Sequence, residues 1–290
     1  MRGPCRMKRK SFAYGELKLV EKGLLYFVLY GGVILFVFPL FWMLITSLKT
    51  LGDIHKLPMT WIPSPIQWGN YKQIFIDAPM GKFLWNSIWY TCVSVVGIMI
   101  ASSMAAFAFA RLRARGSTLL FALALSTMMI PSQVTLIPQY LLFNEIHWTG
   151  SYLPLVVPAF TGSAFIIFLL RQFYLGISRE MDEAVKIDGG SRFTLYWRIL
   201  LPLSAPALAT AAVLELMSRW NDLFGPLIYL NDSAQYPLSL GLANFTAAYG
   251  QTPWNLLMAA SIVAVAPLLL IFFFAQKVFI QGIVVSGSKG

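Results

Sequence analysis

Charged side chains are scarce in this sequence. Asp, Glu, Lys and Arg make up 12% of its 290 residues, whereas soluble domains usually carry about 25%. Hydrophobic residues make up 58%. A chain with so little charge and so much apolar surface cannot have water as its only solvent, so the composition predicts an integral membrane protein.

Residues that usually carry metal, redox or nucleotide chemistry are also few. The chain has two cysteines, Cys5 in a basic leader and Cys92 in an apolar run, and their separation predicts neither a disulfide nor a metal site. His55 and His147 each stand alone in a predicted loop. No glycine-rich loop ending in Lys-Ser or Lys-Thr occurs, so the sequence offers no ATP site. These absences argue against an enzyme acting at the membrane.

Long apolar runs take the place of charge. A bilayer core about 30 Å thick needs roughly 20 mostly apolar residues for each helical crossing. The transmembrane domain is predicted to run from 24 to 280, after the basic leader (1–23) and before a C-terminal tail (281–290). We expect an all-α fold whose six transmembrane helices cover residues 24–45, 88–109, 119–137, 153–170, 205–230 and 256–274.

Basic residues are concentrated in alternate connections. Seventeen of the 22 lysines and arginines lie in the leader, in the second-to-third and fourth-to-fifth connections, and in the tail. The first outer loop holds Lys49, Lys56, Lys72 and Lys82. Because cytoplasmic loops carry the excess of Lys and Arg, both termini are predicted to be cytoplasmic. The net charge of +10 is therefore interpreted as a signal of orientation, and no nucleic-acid partner is expected.

The connection over 171–202 is unusually long and predicts two short helices set at an angle. Ser178 can cap the first helix, and Gly189 with Gly190 can end it. One face of that helix would be apolar, and it consists of Ile177, Met181, Ala184 and Val185. From these residues alone, the face could pack on lipid headgroups, on the chain's own helices or on a separate soluble subunit.

A motif lies inside this connection. Residues 183–190 read Glu-Ala-Val-Lys-Ile-Asp-Gly-Gly, and Ile199 and Leu201-Pro202 follow. The pattern resembles the EAA loop of ATP-binding-cassette (ABC) import permeases, in which Glu-Ala-Ala, three residues and Gly precede Ile-x-Leu-Pro. It departs from that loop at Val185, where a second Ala is usual, and at Gly190, where an Ala commonly follows the Gly.

The likeness continues outside this loop. Residues 220–222 (Trp-Asn-Asp), 236–238 (Tyr-Pro-Leu) and 258–261 (Met-Ala-Ala-Ser) look like the MalG-type permeases of the carbohydrate-uptake family. The resemblance covers nearly the whole chain and implies a type I ABC importer permease fold with a cytoplasmic coupling helix. It also implies import of a sugar or oligosaccharide across the cytoplasmic membrane of a bacterium or archaeon.

In that family the EAA loop docks in a groove on a cytoplasmic ATPase subunit. The resemblance therefore implies that this chain contacts the subunit through Glu183, Ala184, Val185, Asp188, Gly189 and Gly190. ATP and Mg²⁺ would be bound by the ATPase subunit, so that this chain is not an enzyme and holds no cofactor or metal. The implied partners are a homologous second permease, two copies of the ATPase subunit, an extracytoplasmic solute-binding protein, the saccharide and membrane lipid. A homodimer of this chain is the lesser alternative to a pair of different permeases.

Ionisable residues interrupt the fifth predicted span. Glu215 and Arg219 stand four residues apart on a helix and can pair, and Asn221 and Asp222 follow at its outer end. Charged groups at membrane depth are costly and usually face protein or a water-filled cavity. Two interpretations stay open. The groups form an internal ion pair that joins two spans, or some of them line the translocation pathway and bind sugar hydroxyls.

The outer loop over 231–255 contains Asn244, Phe245 and Tyr249. The resemblance implies that this region contacts the solute-binding protein, and the ring of Tyr249 could stack on a sugar. An ordinary protein contact would use the same aromatic side chain.

A secondary, ion-coupled transporter is the alternative class. Glu215 and Arg219 would then form its proton or ion relay. Such carriers often show an inverted repeat or paired broken helices in two halves, and neither is detectable here. Uptake that depends on ATP and not on an ion gradient would separate the two classes.

Overall fold

The computed structural model describes residues 19–247 and 252–287. Within these ranges every regular element is a helix, and the all-α prediction is confirmed. Helices satisfy their own backbone hydrogen bonds, as a chain surrounded by lipid requires. The α-helices are α1 (Leu19–Ser47), α2 (Leu51–Ile54), α3 (Gly69–Asp77), α4 (Met80–Arg111), α5 (Ser117–Ser126), α6 (Ser132–Glu145), α7 (Leu153–Val156), α8 (Ala164–Leu175), α9 (Glu180–Ile187), α10 (Arg192–Thr194), α11 (Leu201–Leu203), α12 (Ala205–Trp220), α13 (Phe224–Tyr229), α14 (Leu238–Ala247) and α15 (Trp254–Gly287).

The described residues provide four to six elements that can cross a membrane. Four stretches are long and apolar enough by themselves, namely Glu21–Ser47, Met80–Arg111, Leu153–Leu175 and Trp254–Gln276. The count reaches six if each of two bent pairs is one crossing. These pairs are Ser117–Met129 with Ser132–Glu145, bent by 100°, and Arg192–Leu203 with Ala205–Trp220, bent by 75°.

The first bend lies inside the predicted span 119–137. Ile130 is extended, with φ −88° and ψ 115°, which is the conformation favoured before a proline. Pro131 follows it and has no N–H to continue the helical ladder. By contrast, Pro39 and Pro267 lie inside α1 and α15. The third predicted helix is therefore two helices that meet at a proline.

The predicted span 205–230 is also interrupted, because α12 ends at Trp220 and α13 begins at Phe224. In the gap, Asp222 Oδ1 accepts a hydrogen bond from the N–H of Gly225 at 3.0 Å. A carboxylate at the start of a helix satisfies a backbone donor that has no partner within the helix. The polar residue that interrupts the apolar run thus also fixes the point at which the chain turns.

Small residues bring α4 close to its neighbours. Ser94 and Ala106 on α4 are fully buried. A Cβ added to Gly97 would lie 2.8 Å from the ring of Phe160, so a larger residue there would displace that ring. Small side chains at helix contacts are typical of membrane bundles, where close backbone approach replaces the hydrophobic driving force.

The surface of α1 is almost entirely outside the chain's own core. None of its apolar window is buried, and Phe27 and Phe36 are 77% and 80% exposed. Its contacts are chiefly with α15. An apolar surface of this extent requires lipid or another subunit around it.

The two ends of the bundle are held by different groups. At one end the contacts are neutral hydrogen bonds: Asn86 Nδ2 donates to the carbonyls of Ala234 (2.9 Å) and Tyr236 (3.1 Å), and Tyr152 Oη donates to that of Gln235 (2.6 Å). The other end, called the basic end below, is where α4 and α8 finish and α9 begins. Its clefts are lined by Arg111, Arg113, Arg115, Arg171, Arg179, Lys186 and Arg192.

Candidate functional site

The long connection at the basic end begins with α9, whose two ends are fixed by local hydrogen bonds. Its first N–H, that of Glu180, donates to Ser178 Oγ at 3.2 Å. At its other end Gly189 has φ +74°. The N–H of Gly189 donates to Lys186 O (3.1 Å) and that of Gly190 to Val185 O (2.7 Å), which is the pair of bonds of a Schellman motif.

Gly189 and Gly190 are needed for different reasons. Gly189 occupies the left-handed region of backbone conformation, and a Cβ on it would meet nothing within 4 Å. A Cβ on Gly190 would lie 2.6 Å from Val185 Cγ1 and 2.9 Å from Val185 O. Gly189 therefore supplies a backbone turn, and Gly190 supplies the close approach of two backbone segments.

The second helical part of the connection is also capped. Ser191 Oγ accepts from the N–H of Thr194 at 3.1 Å, and Thr194 Oγ1 accepts from the N–H of Ser191 at 3.3 Å. This reciprocal pair is a capping box. A π-helical turn over Leu195–Leu200 and α11 follow, so the connection is helical almost throughout and carries rigid caps at its breaks.

α9 is rotated relative to the apolar face that its sequence predicts. Val185 is buried and Ile177 half-buried, as that face requires, but Met181 and Ala184 are exposed. The polar residue Asp182 takes the buried position instead, at 9% exposure. The expected face is therefore split, because Asp182 has a cationic partner inside the chain.

That partner is Arg111, the last residue of α4. Its Nη2 donates to the carbonyls of Tyr174 and Ile177, each at 2.9 Å. Its Nη1 lies 3.5 Å from Asp182 Oδ1. One buried guanidinium thus joins the ends of α4 and α8 to α9. In the sequence, Arg111 is only one of the basic residues that indicate orientation. No local pattern marks Arg111 and Asp182 as partners, because they lie far apart in the chain.

An apolar surface is exposed at the basic end. Ile187 is 86% exposed, Phe193 66% and Trp197 57%. The rings of Phe193 and Trp197 stack with their centroids 6.1 Å apart. We call these three residues, together with Met181 and Ala184, the apolar strip: Met181, Ala184, Ile187, Phe193 and Trp197.

The other residues predicted for this site are mostly at the surface. Glu183, Asp188 and Gly189 are exposed, whereas Gly190 is half-buried and Val185 is buried. Glu183 lines a cleft of about 340 Å³ together with Lys186. The structure thus brings the predicted coupling residues together on one short helix and its C-terminal turn, with Val185 facing inward.

A second polar cluster joins α4 to the end of α12. Tyr90 Oη donates to Asp222 Oδ2 at 2.8 Å, and Arg219 Nη1 donates to Tyr90 Oη at 3.5 Å. Among the described residues no ion pair joins Glu215 to Arg219. Asn221 is exposed, and its Nδ2 donates back to Met217 O at 2.8 Å. The sequence did not single out Tyr90, because a lone tyrosine in an apolar run carries no signal of its partners.

The opposite end carries the outer residues predicted from the sequence. Asn244 is exposed on α14. That helix is held against α4, where a Cβ on Gly241 would overlap the ring of Phe83 at 2.3 Å. Tyr249 lies outside the described residues, and the side chain of Phe245 is likewise outside them.

Comparisons with known proteins agree with this architecture. The family model described as "Binding-protein-dependent transport system inner membrane component" matches residues 93–285. The arabinooligosaccharides transport system permease protein AraQ of Halalkalibacterium halodurans is 31% identical over 258 residues, covering 88% of this chain and 91% of that protein. The probable starch degradation products transport system permease protein AmyC of Thermoanaerobacterium thermosulfurigenes is 32% identical over 271 residues, covering 93% and 98%.

A solved structure has the same fold. It is the crystal structure of a bacterial ABC transporter involved in the import of the acidic polysaccharide alginate, and one of its chains matches with a TM-score of 0.78. The match covers 90% of this chain and 98% of that chain at 22% identity. At 22% identity, the match shows that the two chains share a fold.

Proposed function

The chain belongs to the family of binding-protein-dependent transport system inner membrane components, and we propose that it passes a saccharide across the cytoplasmic membrane while a partner subunit hydrolyses ATP. It is a permease subunit of an ABC importer, and the resemblance seen in its sequence is confirmed. AraQ and AmyC are named for arabinooligosaccharides and starch degradation products. Both cargoes carry many hydroxyl groups, which supports a saccharide as the cargo here.

The exposed apolar strip carries the part of the proposal that concerns energy coupling. Three of its side chains are more than half exposed, at the end of the bundle whose clefts are lined by arginines. Exposed apolar clusters of this kind mark contacts with other proteins or with a membrane. We assign the strip to the contact with the ATPase subunit, with Glu183, Asp188 and Gly189 at its edge.

Arg111 gives this contact a route into the membrane. Arg111 is the last residue of α4, and its guanidinium hydrogen-bonds to two carbonyls at the end of α8 and pairs with Asp182 on α9. A displacement of α9 therefore moves α4 and α8 together. The Schellman turn and the capping box keep the loop from absorbing the displacement. Closure of a partner is converted into movement of packed helices when the connecting element is stiff.

The complete transporter needs more chains than this one. Six crossings at most enclose too little space for a pathway with two gates, so a homologous second permease completes it, with two ATPase subunits at the basic end. The basic end and both termini face the cytoplasm. At the opposite end, α14 with Asn244 offers a surface to a solute-binding protein. Residues 24–280 form the transmembrane domain in this arrangement, between the leader (1–23) and the tail (281–290).

The translocation pathway is assigned to the neighbourhood of Glu215. Asp222 is already engaged by Tyr90 and by the N–H of Gly225, which supports a structural role for it. Glu215 is half-buried and interacts electrostatically with Arg219 without forming an ion pair at contact distance. A half-buried carboxylate offers several hydrogen-bond acceptors, which suits sugar hydroxyls. Arg219 lies between Glu215 and Asp222 in the sequence and interacts electrostatically with both.

The test is uptake by the reconstituted complex of this chain, its second permease, the ATPase and the binding protein. Ile187→Asp should abolish ATP-dependent saccharide uptake and release the ATPase subunit during purification, because a carboxylate replaces the most exposed apolar side chain of the strip. Ile62→Asp is the matched control, since Ile62 is 80% exposed at the opposite end. Wild-type uptake by Ile187→Asp would overturn the coupling proposal, and uptake driven by an ion gradient without ATP would favour a secondary transporter.

A further inference from the structure

A basic pocket lies beside the coupling loop and is not part of the apolar strip. It has a volume of about 490 Å³ and opens between the end of α4, the start of α5 and the end of α8. Its lining contains no Asp or Glu among the described residues. The arginine pocket is lined by Arg111, Arg113, Arg115, Arg171 and Arg179, with the hydroxyls of Ser117 and Thr118.

Two of its arginines are fixed in place by the fold. Arg171 Nε donates to Phe109 O at 3.3 Å, and its guanidinium lies 4.2 Å from the centre of the Phe121 ring. Arg111 is 7% exposed, and its Nε is buried without a hydrogen-bond partner. Both guanidinium groups are therefore held in place by contacts with the chain.

The remaining arginines form no ion pair. Arg113, Arg115 and Arg179 are exposed, and none of the three pairs with an acidic side chain among the described residues. Asp182 and Glu183 lie in the adjoining cleft, which Arg113 and Arg179 also line. Gly116, with φ +81°, starts the ten-residue helix α5 at the edge of the pocket, and a helix start adds positive potential. The pocket is therefore a concentrated positive site in which, among the described residues, only Arg111 has an acidic partner.

An apolar surface continues from the pocket along α5. Leu119, Leu120 and Leu123 are 64%, 57% and 55% exposed, and they follow directly after the two hydroxyl residues. A ligand with an anionic head and apolar chains fits both surfaces. Free phosphate would use the arginines but not the leucines.

We propose that the arginine pocket binds the phosphodiester headgroup of an anionic phospholipid of the inner leaflet, with its acyl chains along α5. Basic pockets between transmembrane helices on the cytoplasmic side bind such headgroups. The inference depends on the basic end lying at the inner membrane surface, and it is independent of the cargo. Arg179 directly precedes α9, and Arg111 pairs with Asp182 on α9. A lipid bound to these two arginines therefore stabilises the start of the coupling loop.

The experiment is native mass spectrometry of the intact detergent-purified complex, titrated with phosphatidylglycerol and, separately, with phosphatidylcholine. Wild type should retain phosphatidylglycerol in preference to phosphatidylcholine. Arg113→Gln/Arg115→Gln should weaken phosphatidylglycerol binding roughly 30-fold, since each basic side chain near the surface contributes about fivefold. Arg192→Gln/Arg198→Gln removes the same charge at the same end outside the pocket, and we expect it to bind as wild type does.

Three results would overturn the proposal. The first is equal loss of phosphatidylglycerol in both double variants, which would mean that charge alone attracts the lipid. The second is displacement of the lipid by millimolar inorganic phosphate, which would show a site for the free anion. The third is unchanged lipid binding with loss of the ATPase subunit from Arg113→Gln/Arg115→Gln, which would make the pocket a protein contact.

Discussion

The guanidinium of Arg111 bonds to three segments of the chain at once. Its Nη2 donates to the carbonyls of Tyr174 and Ile177, and its Nη1 pairs with Asp182 while its side chain is 1% exposed. Removing one member of a buried charged pair costs about 3–5 kcal/mol, because the other charge stays buried without a partner. The pair therefore contributes to the orientation of α9.

Arg111→Gln should lower the stability of the assembled transporter by about 3 kcal/mol and reduce ATP-coupled uptake, since Asp182 is left without a counter-charge. Adding Asp182→Asn should recover part of that loss. Thermal unfolding of both single variants, the double variant and wild type measures the coupling. Arg198→Gln changes an exposed arginine at the same end and serves as the control. Strict additivity of the two single changes would contradict a direct pair.

Gly189 and Gly190 should respond differently to alanine. Gly189→Ala places a side chain at φ +74° in open space, at a cost of about 1 kcal/mol. Gly190→Ala forces a Cβ to within 2.6 Å of Val185 Cγ1, so it should displace Val185 and speed hydrogen exchange at the end of α9. Gly69→Ala, where nothing lies within 4 Å, is the control. Equal exchange rates in the Gly189 and Gly190 variants would be inconsistent with the two roles.

The element α9 shows what sequence can and cannot predict. Its ends follow from residues within a few positions, because Ser178 and the two glycines act on neighbouring backbone groups. Its buried face does not, because Arg111 draws Asp182 inward from a distant part of the sequence. The spans show the same limit, because Pro131 lies at a break between two helices whereas Pro267 lies inside α15, and the residue type is the same at both positions.

Ser191→Ala should loosen the second half of the connection. The capping box would lose the bond that Ser191 Oγ accepts from the N–H of Thr194, at a cost of about 1 kcal/mol, while the backbone N–H of residue 191 can still donate to Thr194 Oγ1. Amides over 192–200 should then exchange faster with solvent, while those of α9 keep their wild-type rates. Hydrogen-exchange mass spectrometry of the complex measures both segments. Ser178→Ala is the reciprocal variant and should affect the start of α9 alone. Faster exchange in both halves from either change would mean that the loop unfolds as one unit.

At the scale of the whole molecule, charge and apolar surface divide the chain into zones. The arginines gather at one end, and α1 leaves its apolar surface outside the core. Composition is enough to predict a helical membrane protein, and the charge distribution predicts an orientation that stays a prediction. They do not specify which exposed surfaces meet lipid and which meet other subunits, because both environments accept the same apolar side chains.

Orientation is tested by labelling single cysteines in cells, in a background with Cys5 and Cys92 replaced by serine. Ile62→Cys should react with a membrane-impermeant maleimide from outside. Ile187→Cys, in cells that do not produce the ATPase subunit, is similarly exposed on the basic end and should react only after the membrane is opened, because positive ends stay in the cytoplasm. Labelling of the Ile187 variant in intact cells would mean that the basic end faces outward, which would contradict the predicted orientation.

The most direct test of the central claim is a photo-crosslink from residue 187 of the assembled complex. A photoreactive amino acid replaces Ile187, and the reconstituted transporter is irradiated with and without ATP. We expect an adduct with the ATPase subunit whose yield changes with nucleotide. Adducts formed only with lipid, or only within this chain, would contradict the claim that the apolar strip receives the movement of a nucleotide hydrolase.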